Sequence, residues 1–88
     1  MLKKTLTIKN KLGLHARAST KLIKHAMRYT SDIHITVDDK TANGKSIMGI
    51  MLLAANLGTE IILEINGPDE QDAMQDLETL INNKFDEE

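Results

Sequence analysis

The chain has 88 residues, no cysteine, no tryptophan and a net charge of −2. That length suits one domain over residues 1–88 with a modest core, and the missing cysteines exclude a disulfide framework and a thiolate metal site. No apolar run has signal-peptide or membrane-spanning length, so a soluble, cytoplasmic chain with no membrane insertion is expected.

Charge is unevenly placed: residues 1–50 carry +7 and residues 51–88 carry −9. Either a basic face meets acidic partners, or the two halves interleave in space and largely cancel. In chain order, residues 2–8 alternate as a half-buried strand does, with Leu2, Leu6 and Ile8 on one side and Lys3, Thr5 and Thr7 on the other. Gly13 breaks that pattern. From Ala16 to about Arg28 the period is helical, with Ala18, Leu22, Ile23 and Ala26 inward and Lys21, Lys24 and Arg28 in water. Ile33, Ile35 and Val37 alternate with His34 and Thr36, and Asp38-Asp39-Lys40 turns the chain into a short edge strand near 40–43. Ser46 precedes the apolar run 47–55, read as a helix that Gly58 closes. A strand follows over 60–65, with Ile61, Leu63 and Ile65 opposite Glu60 and Glu64. After the Asn66-Gly67-Pro68 turn, Asp69 is placed as N-cap of a last helix whose buried stripe is Ala73, Leu77, Leu80 and Ile81. The tail Phe85-Asp86-Glu87-Glu88 is expected to fray. The order β-α-β-β-α-β-α predicts an α+β fold, a two-layer sandwich with the helices on one face of an antiparallel sheet and water on the other.

His15 carries the chemistry. It lies in Lys11-Leu12-Gly13-Leu14-His15-Ala16-Arg17-Ala18-Ser19, between a glycine turn and the start of the first helix. As N-cap it is an unusual choice, since Ser, Thr, Asp and Asn satisfy the free amides better. The amides of Ala16, Arg17 and Ala18, expected unpaired and pointed at the ring, and the Arg17 guanidinium favour anions there, phosphate above all. The same groups disfavour a charged ring and leave a nitrogen free to attack. A surface histidine beside a solvated arginine is the plain alternative, and the local constellation weighs against it. His25, near the exposed side of the helix, is read as solvated, and His34, on the open sheet face, as inert. The three histidines show no spacing that would converge with carboxylates, so neither metal nor cofactor is expected.

Ser46 reads first as a helix N-cap; regulatory phosphorylation at that cap is the second reading. The helix after it is apolar almost all round. With Ile50 and Leu53 facing the core, Ile47, Met48 and Met51 are left partly exposed beside the His15 loop, with Lys21, Lys24 and Lys45 as a basic rim. Methionines suit a surface that fits several partners, whereas full burial of the helix is the alternative.

Gly13-Leu14-His15-Ala16-Arg17, Lys45-Ser46-Ile47-Met48-Gly49, Gly58 and Asn66-Gly67 together resemble the histidine-containing phosphocarrier (HPr) family of the bacterial phosphotransferase system, over essentially the whole chain. The Asn10-Lys11-Leu12-Gly13 lead-in and the Phe85-Asp86-Glu87-Glu88 ending look closer to its nitrogen-related branch, NPr. The resemblance implies an open-faced β-sandwich. It implies a phosphoryl group accepted on Nδ1 of His15 from phospho-enzyme I, clamped by Arg17 and passed to a IIA-type protein for sugar uptake or nitrogen-related regulation. The chain would be a phosphoryl-transfer intermediate rather than a stand-alone catalyst, and a monomer. Ile47, Met48, Met51 and Leu52 match the family's docking positions, and Ser46 the site of a serine kinase/phosphorylase. Ala18 stands where the family usually has proline, which adds one N–H donor and loosens the helix start. The longer tail also weakens the case for a terminal carboxylate reaching Arg17. The alternative is a regulatory protein-binding module acting through the second helix and Ser46. A nucleic-acid-binding domain is disfavoured by one Tyr, one Phe and a negative net charge.

Overall fold

Alternation in the four strands and the helical period between them resolve into β1 (Leu2–Thr7), α1 (Ala16–Ala26), β2 (Asp32–Val37), β3 (Lys40–Asn43), α2 (Ile47–Leu52), β4 (Glu60–Asn66) and α3 (Glu70–Asn82). A short 3-10 turn, Lys84–Asp86, follows. This is a computed structural model, and it describes residues 1–87.

The sheet is antiparallel throughout, in the order β1-β4-β2-β3. Register puts Leu2 opposite Ile65 and Ile33 opposite Ile65, so the odd positions of β4 share one face with the buried positions of both neighbours. Leu6, Ile33, Ile35, Ile61, Leu63 and Ile65 are buried there under the three helices. Lys3, Glu64 and His34 form a row on the other face, with Thr5, Ile62 and Thr36 as the next. Each buried Leu or Ile removes apolar surface worth about 1.5–3 kcal/mol from water, which fixes the register strongly. Ile62 is the one large apolar side chain of this strand on the open face, half-buried between Thr5 and Thr36.

The charge halves interleave. β4 lies between β1 and β2, and α3 packs on β1 and α1. Lys4 Nζ meets Glu78 Oε1 at 2.7 Å, and the amino terminus meets Glu70 at 3.2 Å.

Four elements depart from the sequence reading, the first of them α1, in both its end and its buried face. α1 ends at Ala26, where Arg28 and Tyr29 donate three residues back, to His25 O and Ala26 O. Ser19 rather than Ile23 fills its buried face, with Ser19 Oγ donating to Leu14 O at 3.0 Å. α2 stops at Leu52, six residues before Gly58. Leu53 and Ala55 must both turn into the core, and Ala54 takes a positive φ of 54° to let them. Asp69 holds the N-cap position without capping; its carboxylate accepts from Thr30 N (2.9 Å), Ser31 N (3.0 Å) and Ser31 Oγ, tying the start of β2 to α3.

The fourth is the tail. Phe85 is fully buried, and Lys84, Phe85 and Asp86 all have positive φ, 59°, 55° and 59°. A left-handed turn built from L-residues costs roughly 1–2 kcal/mol each. Burial of an aromatic ring offsets that cost. The expected fraying therefore fails for residues 85–87; Glu88 lies outside the described residues.

Candidate functional site

Gly13 makes the turn that presents the site. Its φ is +66°, and a Cβ there would stand against the Ala55 carbonyl and 2.8 Å from Asn56 Cα. Only glycine permits both the conformation and the approach. The approach lets Leu14 N–H donate to Ala55 O at 2.9 Å, pinning the loop before α1 to the segment after α2. Asn10, itself buried, donates from Nδ2 to Gly13 O at 2.7 Å.

His15 is the N-cap of α1, in extended backbone at φ −76°, ψ −178°. Its Nδ1 accepts the Arg17 N–H at 3.3 Å, the role a serine or aspartate oxygen usually plays. The helical ladder begins with Ser19 N–H to His15 O at 2.9 Å, so the amides of Ala16, Arg17 and Ala18 precede it. All three were expected free at the ring; that of Arg17 is bound to it. An accepting Nδ1 holds a lone pair, which assigns the neutral ring's proton to Nε2. Nε2 lies 2.7 Å from Glu87 Oε2, and Glu87 Oε1 accepts from Asn10 Nδ2 at 3.1 Å. Partial desolvation pushes the Glu87 carboxyl up. Hydrogen bonds from Asn10 and His15, together with the charge His15 carries when protonated and that of Arg17, outweigh it and hold Glu87 below the usual glutamate range.

His15, Arg17, Ala16 and Lys21 line an open cleft of about 790 Å³, together with Lys11, Leu12, Asp86 and Glu87. Three of the lining side chains are thus cationic, Lys11 from the loop before α1 and Arg17 and Lys21 from α1, and two are carboxylates from the tail. Ala18 is fully buried and does not line the cleft.

The second predicted surface is α2. Ile50 and Leu53 face the core, while Met48 (67% exposed) and Leu52 (71%) stand in water and Ile47 and Met51 are partly so. α2 packs against α1, which places this apolar face beside the His15 helix. Ser46 Oγ accepts Gly49 N–H at 3.2 Å as the α2 cap. The basic rim is thinner than expected: Lys24 is exposed, but Lys21 Nζ donates to Phe85 O and Lys45 Nζ to Tyr29 O, each at 2.7 Å.

His25 is not the solvated residue the sequence implied. Its Nδ1 lies 2.7 Å from Asp76 Oδ1, and Tyr29 Oη donates to Asp76 Oδ2 at 2.7 Å, joining α1 to α3. The hydrogen bond to Asp76, then burial, then the Asp76 charge push the Tyr29 phenol up to about 12. His34 stays exposed on the open sheet face. Among the described residues, no group of three or more His, Cys, Asp and Glu is placed to hold a metal ion. Among them, too, no helix is long and apolar enough to cross a membrane.

Sequence reasoning missed Glu87 and Asn10. Asn10 gave one signal, a polar residue in the strand's exit; Glu87 gave only the aromatic Phe85 two positions before it.

Comparison with known proteins agrees with this fold. A family model described as "PTS HPr component phosphorylation site" matches residues 2–83. Phosphocarrier protein HPr of Neisseria meningitidis serogroup A is 53% identical over 87 residues, 99% of this chain and 98% of its own. The crystal structure of HPr-C-His from Thermoanaerobacter tengcongensis superposes with a TM-score of 0.96 at 43% identity, covering 100% of this chain and 99% of that one. An HPr dimer from the same organism gives 0.80 at 42% identity, covering 99% and 100%. Fold and relatives together define a phosphocarrier of the phosphotransferase system. The chain belongs to the HPr family.

Proposed function

We propose that His15 accepts the phosphoryl group on Nδ1 from an enzyme I-type donor and releases it to a IIA-type acceptor. The observation that carries this reading is the position of Nδ1, capping α1 against the Arg17 amide at the edge of a cationic cleft. When Nδ1 bonds phosphorus, the Arg17 N–H turns from the ring lone pair to a phosphoryl oxygen. The Ala16 and Ala18 amides and the Arg17 guanidinium then meet the remaining charge. Donor and acceptor dock in turn on Ile47, Met48, Met51 and Leu52, since both must bring a reacting group to the same ring. Lys24 steers acidic partners, and Lys21 and Lys45 add to the field from their carbonyl-bound positions. Ser46 is the modification site of this surface: it is an exposed residue at the cap of α2, two positions before Met48, and a phosphate there would set negative charge on the docking face. We place this activity in the cytoplasm, on one domain over residues 1–88, acting as a monomer and using neither metal nor cofactor.

The experiment is a phosphoenolpyruvate-driven reaction with enzyme I, read by mass spectrometry. The expected result is a gain of one phosphate that acid removes and that His15→Ala abolishes. An acid-labile phosphate retained by the His15→Ala protein overturns the assignment.

A further inference from the structure

The tail of the chain closes on the ring nitrogen that the phosphoryl group does not use. Four contacts hold it there. The Phe85 ring is buried, Lys21 Nζ binds Phe85 O at 2.7 Å, the left-handed turn reverses the backbone, and Asn10 Nδ2 binds Glu87 Oε1 at 3.1 Å. Asn10 cannot turn its amide over, because both groups facing Nδ2 are acceptors, Gly13 O and Glu87 Oε1. Its own Oδ1 is left without a hydrogen-bond partner in the described structure. A buried orphan acceptor is costly, and here it accompanies a fixed carboxylate.

We propose that Glu87 is a positioning residue for His15: its carboxylate holds the ring proton on Nε2 and so keeps the Nδ1 lone pair aimed at the incoming phosphorus. This rests on the reading of His15 as phosphoryl acceptor. The step balances without any proton moving. The Nδ1 lone pair forms the N–P bond while the bond from phosphorus to the donor breaks, and the donor leaves with that electron pair. The ring becomes a phosphoimidazolium with its proton still on Nε2, and the positive charge gained is met by Glu87 at 2.7 Å. Donation to the acceptor runs the same step backwards. Lys11, from the preceding loop, and Arg17 and Lys21, from α1, face the same cleft with positive charge, and Asp86 adds a second carboxylate. Glu87 is the one that touches the ring.

The test uses the full chain with nitrogen-15-labelled histidine, as wild type, Glu87→Gln and Glu87→Ala. Nuclear magnetic resonance of the unphosphorylated protein reads the His15 tautomer, and the pH profile of phosphate loss reads the phosphorylated one. Glutamine keeps an acceptor for Nε2–H and loses the charge. It should keep the tautomer of the wild type, while the profile of acid-promoted phosphate loss moves to lower pH. Alanine should move both, and slow phosphoryl uptake by about 10- to 100-fold, the effect expected when an outer partner of a functional histidine is removed. An alanine variant with wild-type tautomer, profile and uptake overturns the proposal. If no variant, wild type included, takes up phosphate, the acceptor reading of His15 falls, and the tautomer, measured without phosphate, still decides the role of Glu87.

Discussion

Gly13→Ala tests whether the His15 loop is held by the close approach of two backbones. Two effects add. A non-glycine residue at φ +66° costs roughly 1–2 kcal/mol. The new methyl would also stand against Ala55 O and 2.8 Å from Asn56 Cα, so the two segments must part and the Leu14–Ala55 hydrogen bond is lost. That bond is worth about 0.5–1.5 kcal/mol, and the enforced shift adds at least as much. The total is about 2–5 kcal/mol, and in a domain of this size each kcal/mol moves Tm by about 4–8 °C. Gly58→Ala is the control: φ there is +88°, but a Cβ would meet nothing within 4 Å, so only the backbone term applies. Urea and thermal denaturation of both variants measure the difference, and phosphoryl uptake should fall for Gly13→Ala alone. If Gly13→Ala is no less stable than Gly58→Ala, the apposition of the two loops is not what fixes the site.

Four further outcomes follow from the same structure. The Asp69 carboxyl is held at about 2, first by the Ser31 hydroxyl and then by the Thr30 amide, against a smaller desolvation and with help from the Ser31 amide. Its folded value lies below the unfolded one of about 3.9, so its contribution is complete above pH ~4 and vanishes as pH falls toward 2. Asp69→Asn should flatten that stretch of the stability–pH curve, and an unchanged slope rejects the contact. The single tyrosine can be titrated by absorbance; its midpoint should sit at about 12 and drop toward about 10 in Asp76→Asn. Because the folded value is the raised one, this contact stabilises fully below pH ~10 and is lost as pH climbs through 12; a wild-type midpoint near 10 refutes the Tyr29–Asp76 bond. Met48→Asp, at an exposed position, should leave stability within about 0.5 kcal/mol while weakening binding to donor and acceptor together. Binding of either partner at wild-type strength would mean that they use different surfaces. Phe85→Ala should cost about 3–5 kcal/mol in urea denaturation, whereas a frayed tail would lose almost nothing.

What the sequence made legible is whatever one element's own period controls. The strand faces, the Ala18-Leu22-Ala26 stripe of α1 and the core side of α2 all follow from alternation or a 3.6-residue repeat, and each lies where that repeat puts it. The same holds for His15 as cap, since a glycine turn before a helical run is a local signal. α2 was misjudged at its far end because apolarity persists to Ala55 while the helix does not. Leu53 and Ala55 are apolar as core residues of an irregular segment, and composition cannot distinguish that from another helical turn. Asp69 was misjudged for the opposite reason. An aspartate before a helix suits a cap, but the Thr30 and Ser31 amides, which lie far off in sequence, compete for the same carboxylate and win.

The imidazole itself marks the boundary between what is local and what is not. Nδ1 is answered by the amide two residues on, and that half of the site can be read from Gly13 to Arg17 alone. Nε2 is answered by Glu87, 72 residues away, through a turn that no propensity would assign to Lys84, Phe85 and Asp86. Such a turn persists only if something outside it repays the backbone strain, and the buried Phe85 ring does so. The aromatic therefore does two things at once, completing the core and setting the carboxylate's distance from the ring. A chain with the same Gly13-to-Arg17 segment and a polar residue in place of Phe85 would keep the cap and lose the second contact. It would hold an acceptor nitrogen whose proton partner is water rather than Glu87.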